Sequence, residues 1–291
     1  MIHTAYLNSP MKRFICPLLV LAITSAGMLC QAKDLPYGDN PNAGKTAKIN
    51  GIELYYETYG DGKPLLLIHP NSGAIAAMAP QIQSYAEHFK VIAPDSRGHG
   101  RSGLGEERLT YTRMADDLNQ LLEQLDVKSA HVVGWSDGGI IGLLLAIHHP
   151  DKVDKLAIMG ANLNPAGAHD WALEWVARQV KAVEARIAEG DPSPQLLAMR
   201  QHMDLLGKQP DIKEAELKKI KAPVLVMAGD RDIIRNEHTL VIFDNIPKPQ
   251  LVIFPGATHM IPAQDPARFN RSVLDFLQQP FRRPDTKDMF R

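Results

Sequence analysis

One serine of this 291-residue chain stands between two glycines, directly after an apolar run. The segment GWSDG at 134–138 matches G-x-S-x-G, a pattern in which the serine occupies a sharp turn between a strand and a helix. The apolar residues at 130–134 predict that strand, and the residues after Gly138 predict the helix. The helix N-terminus brings amide donors to the place where a substrate carbonyl would gain negative charge. The pattern makes Ser136 a candidate nucleophile.

Two downstream segments supply the partners that a serine nucleophile needs. GDRD at 229–232 follows one apolar run, and GATH at 256–259 follows another. A histidine can take the serine proton, and a carboxylate can orient the histidine. We therefore expect Ser136 and His259 to act together with an aspartate of the 229–232 segment.

The chain resembles the α/β-hydrolase superfamily over nearly all of its length after Gly44. It shares the order Ser, Asp, His and two further motifs. LLLIHPN at 65–71 resembles its strand and oxyanion loop, and DSRGHGRS at 95–102 resembles its D-x-R-G-x-G-x-S turn. The segment GWSDGG at 134–139 is most similar to that of the small-cap esterases related to valacyclovir hydrolase. The resemblance implies an α/β fold: a mostly parallel eight-stranded sheet, helices on both faces and a small helical cap.

The resemblance also implies residue roles. Asp232 is the expected triad acid, because the family's loop has the form G-x-x-D, whereas Asp230 is expected to serve the turn. Backbone amides of Asn71 and Asp137 are the expected oxyanion hole, although Pro70 stands where the family usually has glycine and proline donates no hydrogen bond. The Asp137 carboxylate is expected to cap its helix, or to pair with an arginine or with a substrate amino group.

From 161 to 221 the alternation of strands and helices stops, which predicts the cap. Two helices are predicted within it, at 171–189 and 194–206. Apolar residues at helical spacing commonly pack against the core, but four of them are also candidates for an acyl pocket: Trp171, Trp175, Met199 and Met203. The residues predicted to contact substrate are Asp137, Trp135, Trp171 and Trp175.

The rest of the chain predicts the core and its limits. Asn-Gly at 50–51 separates two β-favouring runs and predicts a hairpin at the antiparallel edge of the sheet. Continuous apolar runs further on predict parallel strands that are buried on both faces. The expected core covers 45–160 and 222–279, with a leader at 33–44, the cap at 161–221 and a tail at 280–291.

The first 32 residues predict a secretory signal peptide. A basic pair at 12–13 precedes an apolar run at 14–29, which is short for a spanning helix, and Ala32 suits cleavage. We expect a periplasmic or secreted protein with no stable membrane anchor after cleavage near Ala32. Both cysteines, Cys16 and Cys30, lie in this segment, so the cleaved chain has no disulfide, no thiolate nucleophile and no cysteine metal site.

Composition and charge argue against several classes of partner and cofactor. Removal of residues 1–32 takes away two basic residues and no acidic one, which changes the formal net charge from −1 to −3. Such a chain has no attraction for nucleic acid. GHGRSG at 98–103 does not open a helix directly after a strand, as a dinucleotide site requires. The adjacent histidines His148 and His149 lack the H-E-x-x-H spacing of a metal site. We therefore expect no metal, and we expect no organic cofactor.

The predicted function is that of a serine hydrolase that cleaves a small carboxylic ester, a lactone or an aminoacyl ester through an acyl-enzyme. A serine at position 136 separates the chain from relatives with a nucleophilic aspartate, such as haloalkane dehalogenases. Three alternatives stay open on the same fold: a cofactor-free perhydrolase, a carbon–carbon bond hydrolase and a non-catalytic ligand-binding homologue. The physiological substrate, the acyl length and the oligomeric state also stay open.

Overall fold

A computed structural model describes residues 35–190 and 193–290. Pro36–Arg291 forms one compact unit. The predicted signal peptide and its cleavage site lie outside the described residues. Within them, no helix has both the length and the apolar character needed to cross a bilayer.

One eight-stranded sheet forms the centre of this unit. Its strands are β1 (Gly44–Ile49), β2 (Ile52–Tyr59), β3 (Pro64–Ile68), β4 (Lys90–Pro94), β5 (Ala130–Trp135), β6 (Val153–Met159), β7 (Val224–Arg231) and β8 (Pro249–Thr258). Their spatial order is β1-β2-β4-β3-β5-β6-β7-β8. The β1–β2 and β2–β4 pairs are antiparallel, and every other pair is parallel. The predicted mostly parallel sheet is confirmed.

Nine α-helices accompany the sheet in the described residues. They are α1 (Ala79–Tyr85), α2 (Tyr111–Gln124), α3 (Asp137–His148), α4 (Asp170–Ala188), α5 (Pro194–Lys208), α6 (Glu214–Leu217), α7 (Asn236–Asn245), α8 (Ile261–Gln264) and α9 (Pro266–Gln278). Helices α2, α3 and α7 bury apolar side chains against one face, and α1 and α9 cover the other. The prediction of helices on both faces is confirmed.

The hairpin between β1 and β2 is confirmed, and its turn explains why Asn-Gly stands there. Asn50 has φ 42° and Gly51 has φ 81°. A two-residue hairpin turn with positive φ at both positions matches the twist of the flanking strands, and Asn-Gly adopts it most readily. This turn fixes the register in which Ile49 pairs with Ile52.

Helix α2 is held against the loop after β4 by a buried ion pair. The Arg97 guanidinium donates from Nε and Nη2 to the two carboxylate oxygens of Asp117, each at 2.7 Å. Arg97 also donates to the carbonyl of Asn50 at 3.0 Å. Both side chains of the pair are at most 2% exposed, so each charge is shielded from water and is compensated by the other. The pair joins the β1–β2 turn, the loop after β4 and α2.

We predict that Asp117→Asn lowers the free energy of unfolding by about 3–5 kcal/mol, because it leaves the Arg97 charge buried without a counter-charge. Urea denaturation at neutral pH measures this loss. Asp151→Asn is the matched control, since Asp151 pairs with Lys221 at the surface and exposed pairs contribute little. A midpoint for Asp117→Asn as high as that of the control would contradict the assigned role of the buried pair.

Candidate active site

Ser136 lies between the end of β5 and the start of α3, in a backbone conformation that residues other than glycine rarely adopt. Its φ is 57° and its ψ is −118°. The Ser136 amide donates to the carbonyl of Met159 on β6 at 2.7 Å, which anchors the turn to the neighbouring strand. Strained backbone of this kind persists only where the surroundings enforce it, and it concentrates at functional sites.

The two glycines of the G-x-S-x-G motif are required by close backbone contacts. A Cβ atom at Gly134 would lie 2.1 Å from the carbonyl oxygen of Gly138. A Cβ atom at Gly138 would lie 2.2 Å from the carbonyl oxygen of Ile68 on β3. No side chain fits at either distance, so glycine alone lets α3 start this close to β3 and β5.

His259, which follows β8, is hydrogen-bonded to Asp232, which follows β7. His259 Nδ1 lies 2.7 Å from Asp232 Oδ1, and both residues are less than a tenth exposed. The Asp232 carboxylate also accepts from the amides of Gly229 at 3.3 Å and Ile234 at 3.1 Å. A Cβ atom at Gly160 would lie 2.5 Å from the imidazole, so this glycine makes room for the ring. The histidine is thereby fixed in orientation.

Asp230, the other aspartate of the same segment, has a backbone amide as its partner, whereas Asp232 has His259. Asp230 Oδ2 accepts from the amide of Gly256 at 3.0 Å and so joins the last residues of β7 to those of β8. Asp230 therefore serves the turn, and the structure brings Asp232 to the histidine.

A cavity of about 340 Å³ joins Ser136, Asp137 and His259. Its remaining walls are mostly apolar and come from the segment between β6 and β7 and from the loops after β7 and β8: Ala168, Trp171, Ala172, Leu173, Trp175, Val176, Leu206, Ile233, Ile234 and Met260. Its volume lies within the range of about 300–1,000 Å³ that is typical of small-molecule sites. The cavity can hold a compact, largely apolar molecule against Ser136.

The predicted substrate contacts divide into two groups. Trp171 and Trp175 line the cavity and are about half exposed. Trp135 does not line it, because its ring is 3% exposed within the core and its Nε1 donates to the carbonyl of His259 at 2.9 Å. The assignment of Trp135 as a substrate contact is corrected: it packs beneath the histidine loop.

The Asp137 carboxylate is buried, and within the described chain only one of its two oxygens accepts a hydrogen bond. Its Oδ2 accepts from the Asn71 side-chain amide at 2.8 Å. Its Oδ1 has no hydrogen-bond partner among the described residues, although the Tyr111 hydroxyl is close enough to influence its charge. Burial raises the pKa of Asp137 to about 6, against the opposing effect of the Asn71 and Tyr111 contacts. The expectation that Asp137 caps its helix is wrong, because neither oxygen accepts from a helix amide.

The backbone amides of Asn71 and Asp137 have no acceptor in the described ranges. The amide of Asp137 is the first of α3, beside Ser136, where the helix dipole favours negative charge. Asn71 reaches the site through its side chain, which bridges Asp137 and the carbonyl of His202 on α5. Asp137 lines the cavity beside Ser136, whereas Asn71 is not among the residues that line it.

A group of histidines fixes α5 to the loops of the core. The rings of His99 and His202 stack with their centroids 3.8 Å apart, and the His69 ring lies 5.1 Å from that of His99. Burial lowers the pKa of His99 and His202, which keeps the stacked rings neutral near pH 7. His202 Nε2 also lies 2.9 Å from the carbonyl oxygen of Gly98.

Three polar residues that line the cavity were not predicted: Tyr111, Asn162 and Gln209. Asn162 follows β6 closely, and the carboxyl ends of parallel strands share one edge of the sheet. Its position in the sequence could therefore have indicated that it lies at the site. Tyr111 is the first residue of α2 and Gln209 follows α5. Their direction depends on how those helices pack, for which the sequence carries no local signal. No group of three or more histidine, aspartate or glutamate side chains in the described part of the chain is arranged to hold a metal ion.

Known proteins resemble the chain in sequence and in structure. A family model described as alpha/beta hydrolase fold matches residues 63–206. RutD, a candidate carbamate hydrolase of a Caulobacter species, is 31% identical over 77% of this chain and 95% of its own length. The mouse serine hydrolase BPHL is 26% identical over 83% of this chain and 88% of its own.

Solved structures carry the same fold. A bromoperoxidase from Bacillus anthracis has a TM-score of 0.68 at 27% identity and covers 81% of this chain and 100% of its own. An enol-lactonase from Burkholderia xenovorans has a TM-score of 0.67 at 22% identity, with coverage of 81% and 100%. At 22% identity this second likeness concerns the fold alone.

We predict that the stability difference between the wild type and Asp137→Asn depends on pH. The Asp137 pKa is about 6 in the folded protein against 3.8 as the ordinary value. The folded state therefore holds this proton more tightly, and the stability that the proton contributes is lost as the pH rises through 6. The free energy of unfolding of the wild type, minus that of the variant, should fall by about 2–3 kcal/mol between pH 4 and pH 7.

Urea denaturation of both proteins across this pH range measures the difference. Asparagine does not titrate, and the other titratable groups are common to both proteins. The pH dependence of the stability difference therefore reports the titration of Asp137. Parallel stability curves for the two proteins would contradict the raised pKa.

Proposed function

Because this chain belongs to the α/β-hydrolase family and is a hydrolase, we propose that it cleaves carboxylic esters through a Ser136–His259–Asp232 triad and an acyl-enzyme. The observation that carries the proposal is the shared cavity of Ser136 and His259, combined with the 2.7 Å contact between His259 Nδ1 and Asp232. That contact occupies Nδ1 and leaves Nε2 as the nitrogen for the serine proton.

In the proposed reaction, Ser136 Oγ attacks the ester carbonyl while His259 Nε2 takes its proton. The tetrahedral intermediate collapses, the alcohol leaves with the proton from His259, and the acyl group stays on Ser136. A water molecule then attacks the acyl-enzyme, with His259 again as the base, and releases the acid. Asp232 holds the imidazole in place and stabilises its positive charge.

The amides of Asn71 and Asp137 are the proposed oxyanion donors. Both lack an acceptor among the described residues, and the second stands at the positive end of α3. A single donor of this kind typically lowers the barrier by roughly 2.7–4 kcal/mol. Asp137 lines the same cavity as Ser136, which supports its part in this role.

The apolar walls of the cavity favour an ester over a highly charged substrate. Relatives are named as a carbamate hydrolase and a serine hydrolase, and an enol-lactonase has the same fold. Cleavage of an ester, a lactone or a carbamate begins with the same attack on an acyl carbon, so one triad serves all three.

An aminoacyl ester is a second candidate, which the environment of Asp137 favours. Asp137 Oδ1 is buried without a hydrogen-bond partner in the described part of the chain, and Asp137 lines the cavity beside Ser136. A buried carboxylate oxygen without a hydrogen bond is unfavourable, and a substrate ammonium would supply both a charge and donors to it. Asn71 would hold the other oxygen at 2.8 Å throughout.

We predict that Ser136→Ala and His259→Ala each lower kcat for short p-nitrophenyl esters by about 10³-fold or more, because the members of a triad act as a unit. Asp232→Asn should lower it by about 10²-fold or more, since the imidazole loses its orienting carboxylate. Steady-state kinetics on folded protein, checked by circular dichroism, measures the losses.

Asp230→Asn is the matched control, because an asparagine oxygen still accepts from the amide of Gly256. It should retain near wild-type kcat. Turnover close to wild type in Ser136→Ala, or equal losses in the two asparagine variants, would contradict the assigned triad.

We predict that the preference for an α-aminoacyl ester over its desamino analogue rises with pH through about 6. The Asp137 pKa is raised to about 6, and only the ionised carboxylate attracts an ammonium group. The ratio of the two kcat/KM values should exceed about tenfold at pH 7 and fall toward one at pH 5, because the titration of His259 affects both esters and cancels. In Asp137→Asn the ratio should stay low and constant. A wild-type ratio that is independent of pH would exclude ammonium binding at Asp137.

A further inference from the structure

A second cavity, of about 390 Å³, lies between α4 and α5, outside the active-site cavity. We call it the α4–α5 groove. It is lined from α4 by Leu173, Val176, Ala177, Val180, Lys181 and Glu184, and from α5 by Arg200, Met203, Asp204, Gly207 and Lys208. The proposed mechanism gives this groove no role.

The groove is mainly apolar, and charged side chains of both helices also line it. Its α4 residues recur at helical spacing and form one stripe from Leu173 to Glu184, which spans roughly 16 Å of helix. Val176 and Met203 are buried in its floor. At the far end Arg200 donates to Glu184 at 2.8 Å and so joins the two helices.

Four of the five charged side chains that line the groove pair with one another, and the fifth is Lys181. Arg200 pairs with Glu184 and Asp204, and Lys208 pairs with the same aspartate at 2.7 Å. An anionic tail would have to compete with these carboxylates. Apart from Lys181, the groove offers such a tail no unpaired cation in the described residues, and its apolar stripe suits an uncharged chain.

The groove meets the active-site cavity at one place. Leu173 and Val176 line both. On α5 the consecutive residues Leu206 and Gly207 line the cavity and the groove, respectively. The two cavities therefore adjoin at these side chains.

Gly207 stands at that junction, and the helix does not require it. It lies in the last turn of α5 without positive φ, where glycine is among the least favourable residues. An added Cβ would lie 3.4 Å from Val176 Cγ1, an ordinary contact, so a methyl group fits. A longer side chain would extend into the junction. A substitution here changes how α5 packs against Val176, which lines both cavities.

We propose that the α4–α5 groove binds a linear, uncharged alkyl chain of the substrate whose ester group lies at Ser136. The proposal rests on the proposed function only for the ester end, because the groove recognises the chain by burial of methylene groups. Each buried methylene improves affinity by about fourfold, and a half-buried one by about twofold. The preferred substrates are then esters with a linear chain longer than the active-site cavity alone can hold.

The direct test is the binding of 1-hexanol, 1-octanol and 1-decanol to the full chain by isothermal titration calorimetry. Affinity should rise by about two- to fourfold for each methylene in the wild type. In Gly207→Leu the gain from hexanol to decanol should be lost, because the leucine occupies the junction. Val180→Phe, which fills the groove from α4, is the second variant and should have the same effect.

Ala182→Leu is the matched control, because Ala182 is exposed on α4 and lines neither cavity. It should keep the wild-type dependence on chain length. Thermal unfolding checks that each variant is folded. An equal dependence in the wild type and both groove variants, or none in the wild type, would overturn the proposal. The measurement needs no catalysis, so a failure of the proposed hydrolysis would be seen separately.

The isomeric esters octyl acetate and ethyl octanoate then tell which side of the ester enters the groove. If the acyl chain enters, Gly207→Leu should lower kcat/KM for ethyl octanoate about tenfold more than for octyl acetate. If the alcohol chain enters, the order should be reversed. Equal, small effects on both esters would contradict the proposal.

Discussion

The candidate active site depends on how closely the start of α3 approaches β3 and β5. Gly134 and Gly138 stand where a Cβ atom would lie 2.1–2.2 Å from backbone oxygens, a distance that no side chain tolerates. Any larger residue would move α3 away from the sheet. The positive φ of Ser136 is sustained by the same contacts, because the strand and the helix fix the backbone on both sides of it. One packing constraint thus sets the position of the serine hydroxyl and that of the helix amides beside it.

The order of the sheet delivers the other groups to this point. Strands β5, β6, β7 and β8 are consecutive neighbours and parallel, so the loops after them share one edge. Asp232 follows β7 and His259 follows β8, and the Trp135 indole joins the histidine loop to the strand that carries Ser136. Gly160, after β6, leaves the space that the imidazole occupies. Each group is held by a different strand, and the rigidity of the sheet keeps the distances among them.

The parallel strands and the antiparallel edge were predictable, because buried apolar runs and the Asn-Gly turn leave clear local patterns. The eight-stranded sheet with helices on both faces was implied by the resemblance to the α/β-hydrolase superfamily. Helices α1 and α7 were not predicted; in α7 the apolar residues run consecutively from Leu240 to Phe243, which hides a helical period. The burial of Trp135 was not predictable either, since both faces of β5 are buried and alternation carries no signal there. The contact between Asn71 and Asp137 joins residues 66 positions apart and depends on tertiary packing alone.

The central claim, a nucleophilic Ser136 activated by His259, is tested most directly by labelling with a fluorophosphonate. Intact-protein mass spectrometry of the folded chain should find one adduct, and peptide mapping should place it on Ser136. His259→Ala should react far more slowly, because its serine keeps its proton. A folded protein that gains no adduct, or that is modified at another residue, would contradict the account and favour a ligand-binding role for the same cavity.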